Sequence, residues 1–137
     1  MSSKNLLSDP FYISLDVVLA IHQRQLKEFG GAVGIRNLAG LEAAVESPKA
    51  TFDGNDLYPT IFLKAAAYAY HLAESQAFVD GNKRTALDVA LTFLAINSFE
   101  INDEQMELYD AMIAIADKKM SKEQLADLLA KLTQQLP

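Results

Sequence analysis

From Lys83 to Ile96 the sequence reads KRTALDVALTFLAI, and after the two leading cations its polar residues are only Thr85, Asp88 and Thr92. Spaced three and four apart, those residues draw one narrow line along a helix, so nearly its whole girth is predicted to be buried. A helix enclosed on almost every side needs other helices around it. The pattern therefore predicts an all-α bundle built around this segment.

The rest of the chain supplies the surround. Leu15 to Glu28 has apolar residues three and four apart and stops at Gly30-Gly31, a natural helix terminator. A shorter helix is predicted over Leu38 to Glu46, ending before Pro48. Thr51 to Tyr58 contains Asp-Gly-Asn turn chemistry and is the one place where an exposed hairpin or flap is expected. Pro59 suits the first turn of a helix running to about Glu74. Asp103 to Ala116 repeats apolar pairs at Leu108-Tyr109, Met112-Ile113 and Ile115-Ala116. Ser121 with Gln124 forms a capping box ahead of Leu125, Leu128, Leu129 and Leu132. No strand is predicted outside the flap, and no repeat or linker interrupts the chain.

With 137 residues, half of them hydrophobic, the chain can fill one core but not comfortably two. A single domain over residues 1–137 is expected, with about 1–12 as an N-terminal extension. The absence of cysteine excludes disulfide staples and thiol chemistry. Met1 to Leu7 has one lysine and no apolar signal core, and no apolar run is long enough to span a bilayer, so a cytoplasmic product without membrane contact is expected. A net charge of -6 argues against nucleic acid as a partner.

Against that acidic background one stretch stands apart: Phe78-Val79-Asp80-Gly81-Asn82-Lys83-Arg84-Thr85-Ala86. Lys83 and Arg84 meet the free N–H groups and positive dipole end of the helix that follows, which makes an anion site. Arg84 can hold phosphate oxygens bidentately, Lys83 adds a point charge, and Gly81 lets the backbone approach closely. Asp80 beside an anion calls for an intervening cation, and Mg²⁺ bridging carboxylate to phosphate is the usual solution. The run therefore reads as a magnesium-nucleotide site. A capped helix start with two solvated basic residues is the competing reading. Two other motifs do not apply. Lys83 does not follow a glycine with Walker A spacing, and neither Asp53-Gly54-Asn55-Asp56 nor Asp80-Gly81-Asn82 has the alternating ligands and final Glu of an EF-hand.

The stretch Ser75 to Ala86 resembles the signature of the Fic/Doc family, His-x-Phe-x-Asp/Glu-Gly-Asn-Lys/Gly-Arg, matching at every position but the first, where Gln76 stands. Phe29-Gly30-Gly31, Gly34-Ile35-Arg36 and Leu41-Glu42-Ala43-Ala44 are similar to the amino-terminal half of death-on-curing proteins, and Thr85 to Ile101 to the helix after their motif. The resemblance implies the Fic fold, a helical bundle with a short flap before the motif. Relatives that transfer AMP usually carry a second glycine and a second arginine; Lys83 and Leu87 occupy those places here, which is similar to the Doc branch. That branch implies transfer of the terminal phosphate of ATP to a Ser/Thr hydroxyl of a target such as elongation factor Tu. By the same resemblance Asp80 would hold Mg²⁺, Gly81, Asn82, Lys83 and Arg84 would hold phosphate, Phe78 would plug the motif loop into the core, and the flap would dock the target. An ordinary surface loop is the other reading of the flap. The inhibitory Ser/Thr-x-x-x-Glu-Gly/Asn signature of self-restrained relatives is absent, so any inhibitor would be a separate, antitoxin-like chain.

Gln76 occupies the place where the family's histidine takes the proton from the attacking hydroxyl. General-base catalysis contributes roughly 10²- to 10⁴-fold, and a glutamine amide does not titrate near neutral pH. It can still orient a hydroxyl, and phosphoryl transfer depends heavily on positioning. Gln76 is either native or an introduced change, and because Ser75 and Ala77 also depart from the usual Asn-His-Pro-Phe, natural divergence is favoured. No replacement base is evident. His71 shares a helical stripe with Thr60, Lys64 and Ser75 and is expected at the surface, His22 aligns with Leu15, Val18, Leu26 and Phe29 as a packing or interface residue, and Glu74 reads as a solvated helix-end acid. Three functions remain open: an impaired Doc-like phosphotransferase, an inactive nucleotide-binding pseudoenzyme, and an interaction module of a toxin-antitoxin-like system.

Overall fold

Ser14 starts helix α1 (Leu15–Phe29) by accepting the Val17 N–H on its hydroxyl, and Gly30 ends it by donating to Leu26 O at 2.7 Å. The computed structural model describes residues 9–135. The first eight residues of the extension expected over 1–12 lie outside them. Its described end is tied down: Tyr68 Oη accepts the Ile13 N–H at 2.8 Å, and Phe11 exchanges two hydrogen bonds with the Asn97 amide.

Asn37 caps α2 (Leu38–Glu46), which runs into a 3₁₀ turn at Ser47–Lys49 around buried Pro48. The expected hairpin follows. Strand β1 (Thr51–Phe52) pairs antiparallel with β2 (Asn55–Asp56) through Asp53 and Gly54, both at positive φ, the turn geometry that matches strand twist. Thr60 then caps α3 (Ile61–Ser75) by accepting the Leu63 N–H at 3.1 Å. Pro59 therefore precedes the cap rather than standing in the first turn.

Helix α4 (Asn82–Ile96) has no exposed residue from Thr85 to Leu94, as its narrow polar line predicts. It packs on α1, α3 and later elements, and its broadest contact is with α3. Alanines make that closeness possible: Ala65, Ala66, Ala69 and Ala73 of α3 share one buried cluster with Ala86, Val89, Ala90 and Phe93 of α4. The centre of the bundle is thus a helix pair.

Two expectations on the carboxyl-terminal side are corrected. Strand β3 (Phe99–Ile101) pairs with β4 (Thr133–Gln135) at the far end of the chain, a ladder too short and too polar at Thr-Gln-Gln to leave an alternating pattern. Helix α5 (Glu107–Ala116) begins four residues later than Asp103, because the Asp103 carboxylate accepts the N–H groups of Glu107 and Leu108 at 2.7 and 3.0 Å. Ser121 and Gln124 form the expected reciprocal capping box of α6 (Lys122–Leu132). The architecture is all-α with two small antiparallel strand pairs, and no helix among the described residues is long and apolar enough to cross a membrane.

Candidate functional site

The chain between α3 and α4 is held from both sides. Behind it, Ile35 bridges Phe78, Arg36 and Asn37 both donate to Ala77 O, and Val79 donates to Gly34 O at 3.0 Å. Within it, the Asn82 amide closes a ring on Phe78, with Oδ1 accepting the Phe78 N–H at 3.0 Å and Nδ2 donating to Phe78 O at 2.9 Å. Asn82 is thus engaged in shaping the loop, with one amide hydrogen left over. Phe78 is buried, and the His22 imidazole lies on its ring. His22 Nε2 stands 2.8 Å from Asp80 O; a carbonyl only accepts, so that nitrogen carries the hydrogen.

Asp80 is oriented by a second bond, its Oδ2 accepting the Ala32 N–H at 2.7 Å. The approach requires glycine at position 31, since a Cβ there would stand 2.9 Å from Leu26 Cδ2 and 3.1 Å from Asp80 Cβ at a φ of +124°. Gly81 (φ +81°) precedes α4 without a side-chain cap, so the first N–H groups of the helix have no side-chain partner. They adjoin a cleft of about 350 Å³ lined by Gln76, Asp80, Gly81, Asn82, Lys83, Arg84 and, from α5, Tyr109.

This arrangement suits a polyanion. Helix dipole, amides, Lys83 and Arg84 all favour negative charge. Asp80 is the sole carboxylate among the lining residues, and no trio of metal-ligating side chains occurs among the described residues. A divalent cation here would have one protein carboxylate and would take its other ligands from phosphate and water, which fits Mg²⁺ rather than a caged metal. The Gln76 side chain opens on the same cleft from a left-handed backbone (φ 45°, ψ 43°) that terminates α3.

The two histidines diverge. His22, aligned with the apolar stripe of α1, is 6 % exposed and supports the loop. The surface position expected for His71 is overturned: it is half-buried between Tyr58 Oη and Lys122 Nζ, each 3.2 Å from Nε2, and burial followed by the Lys122 charge lowers its pKa. Its stripe is no polar edge either, since Lys64 is 4 % exposed and pairs with Asp56. Neither histidine lines the cleft. Glu74 is exposed and raises the pKa of Tyr70. Reasoning from sequence missed Ala32, Phe29 and Tyr109; only the Phe29-Gly30-Gly31 run signalled that the chain must turn sharply there.

A sequence model described as the Fic/DOC family matches residues 12–94, which contain every cleft residue except those of α5. The chain is 31% identical over 121 residues to a protein of Escherichia phage P1 named protein kinase doc, covering 88% of this chain and 94% of that one. It is 49% identical over 73 residues to a protein of Mycolicibacterium smegmatis named toxin Doc, covering 53% of this chain and 56% of the relative. The chain thus spans little more than half the length of that second relative. With a helical bundle that presents the motif loop at the start of a buried helix, and relatives that bear the Doc name, the chain belongs to the Fic/DOC family, on its Doc-like side.

Proposed function

We propose that the cleft binds ATP with Mg²⁺ and that the protein is a Doc-like phosphotransferase whose turnover is limited by Gln76. The observation that supports this most strongly is convergence. Lys83, Arg84, the uncapped amides of α4 and a single oriented carboxylate, Asp80, border one cleft, and Gln76 borders it too. In this reading Asp80 would hold Mg²⁺, and the ion would supply positive charge against the phosphate oxygens. Gly81, Lys83, Arg84 and the amides hold phosphate oxygens, while Asn82 and buried Phe78 keep the loop in shape. A Ser or Thr hydroxyl of a protein substrate, elongation factor Tu by family resemblance, attacks the terminal phosphorus and ADP leaves. The hydroxyl proton has no titrating acceptor at Gln76 and passes to solvent, which is the slow feature of the reaction. The β1–β2 hairpin, with Phe52 77% and Leu57 53% exposed, is the proposed rest for the target segment. An antitoxin-like chain is the proposed partner in the cell.

The amide at Gln76 also carries a second reading, a nucleotide-binding module without turnover. One incubation with Mg²⁺, labelled ATP and elongation factor Tu, comparing the native chain with Gln76→His, separates them. Transfer by both, faster with histidine by roughly 10²- to 10⁴-fold, is the expected result. Transfer by the histidine variant alone selects the inactive module. Failure of either protein to bind Mg·ATP in calorimetry overturns the nucleotide reading.

A further inference from the structure

Phe29 ends α1 and is 53% exposed, although it continues a stripe that is otherwise largely buried at Val18, His22 and Leu26. The Arg84 guanidinium lies over the Phe29 ring, Cζ 4.1 Å from the centroid, and 5.7 Å from the ring centre of Tyr109 on α5. The two rings approach from different helices, and neither belongs to the helix that carries the arginine.

We propose that Phe29 and Tyr109 are positioning residues that hold the Arg84 guanidinium at the mouth of the cleft, ready for a phosphate oxygen; the proposal rests on the nucleotide reading above. Among the described residues Arg84 has no carboxylate within ion-pair distance, whereas Arg24 is paired with Asp88 at 2.7 Å. An arginine kept for structure usually engages its donors in that way. Arg84 instead has aromatic surface against it, and rings interact with the faces of a guanidinium while its five N–H donors lie along its edge. Cation–π contact of this kind holds the group without an acceptor taking up the donors that an anion needs. The negative end of the α1 dipole, at Phe29, adds attraction on the same side. Leu87, Leu91 and Met112 line the same groove as Phe29, Arg84 and Tyr109, together with Asp88, whose carboxylate is taken by Arg24 and Gln25, giving the aliphatic stem of the arginine an apolar surface to follow. The functional consequence is preorganisation: an arginine already confined loses less rotamer freedom when phosphate arrives.

The test is Mg·ATP binding measured by calorimetry on the full chain, in Phe29→Leu, Phe29→Tyr, Arg84→Ala and the Phe29→Leu/Arg84→Ala double variant. Removing the ring should weaken binding roughly two- to tenfold, the ordering cost of one long side chain. Phe29→Tyr should bind like the native chain. In the Arg84→Ala background Phe29→Leu should add nothing. If Phe29→Leu fails to fold, as judged by circular dichroism, Tyr109→Leu tests the same clamp with the same expectations. A native chain that binds Mg·ATP but is indifferent to loss of the ring overturns this inference alone. So does an equal effect of Phe29→Leu with and without Arg84. A native chain that binds no Mg·ATP overturns the nucleotide reading and the clamp with it.

Discussion

The imidazole of His22 lies flat on the ring of Phe78, with centroids 3.6 Å apart and planes 8° from parallel. Helix α1 thereby grips the loop between α3 and α4 by one aromatic face and one hydrogen bond, Nε2 to Asp80 O. The cleft depends on a residue far away in sequence that does not line it.

Truncating that grip should be costly. His22→Ala is predicted to lower the unfolding free energy by ~2–4 kcal/mol, combining a cavity with a stranded carbonyl. His22→Phe, which keeps the stack and loses only the donor, should cost ~1–2 kcal/mol. Urea unfolding followed by circular dichroism reads both values. A loss within about 0.5 kcal/mol for His22→Ala, the ordinary range of a surface change, would refute the supporting role.

Gln76 presents the opposite situation, a cleft residue held in a backbone state that favours glycine. Its φ of 45° at the end of α3 costs a non-glycine side chain ~1 kcal/mol. Gln76→Gly should therefore stabilise the fold by about that amount, even as it removes the side chain proposed above to orient a hydroxyl. The expected sign is a rise in the urea midpoint with no change of slope. A fall would mean that the amide makes contacts that outweigh the strain.

Much of this was legible in the sequence, and the reason is local. The girth of α4, the Gly30-Gly31 stop, the Asp53-Gly54 turn and the Ser121/Gln124 box are each determined by neighbours within one or two helical turns. What sequence did not yield depends on distant partners. Lys64 and His71 look like a solvent-facing edge until Asp56, Tyr58 and Lys122 arrive from other elements. The Ile35–Phe78 bridge and the β3–β4 pair join segments by backbone hydrogen bonds that no side-chain period records. In the site, residue types placed Asp80, Lys83 and Arg84 together at a helix start, and the structure sets all three on one cleft. They could not show that Phe29 and Tyr109 flank the guanidinium.

Acid should weaken the fold through His71. Its pKa is lowered from 6.5, first by burial and then by the Lys122 ammonium, with Glu74 opposing weakly. Tyr58 and Tyr70 also face the Lys122 ammonium, their ring centres 4.9 and 5.2 Å away. A histidine with a lowered folded pKa leaves the unfolded state binding more protons just below pH 6.5, so stability rises with pH in that window and is lost on acidification through it. Urea midpoints measured at about pH 7.5 and about pH 5.5 should differ more for the native chain than for His71→Asn. Equal pH sensitivity of the two proteins would assign the slope to other groups.

The hairpin is anchored by a pair with unequal exposure. Lys64 Nζ is 3.2 Å from Asp56 Oδ2 and 3.4 Å from Pro48 O, and the lysine side chain is 5% exposed against 43% for the aspartate. Removing one partner of a fully buried pair costs ~3–5 kcal/mol, and the wet aspartate scales that down. Asp56→Asn is therefore predicted to cost ~1–2 kcal/mol, because it leaves an ammonium in the interior with a carbonyl and the Tyr12 ring at 5.8 Å as partners. Lys64→Met removes the buried charge itself and should cost less than Asp56→Asn, despite striking the more buried residue. Hydrogen exchange should also quicken at the amides paired across β1 and β2 in Asp56→Asn, since Asp56 is the strand's tether to α3. If Lys64→Met proves the more damaging change, packing of the lysine stem rather than the stranded charge holds the hairpin down.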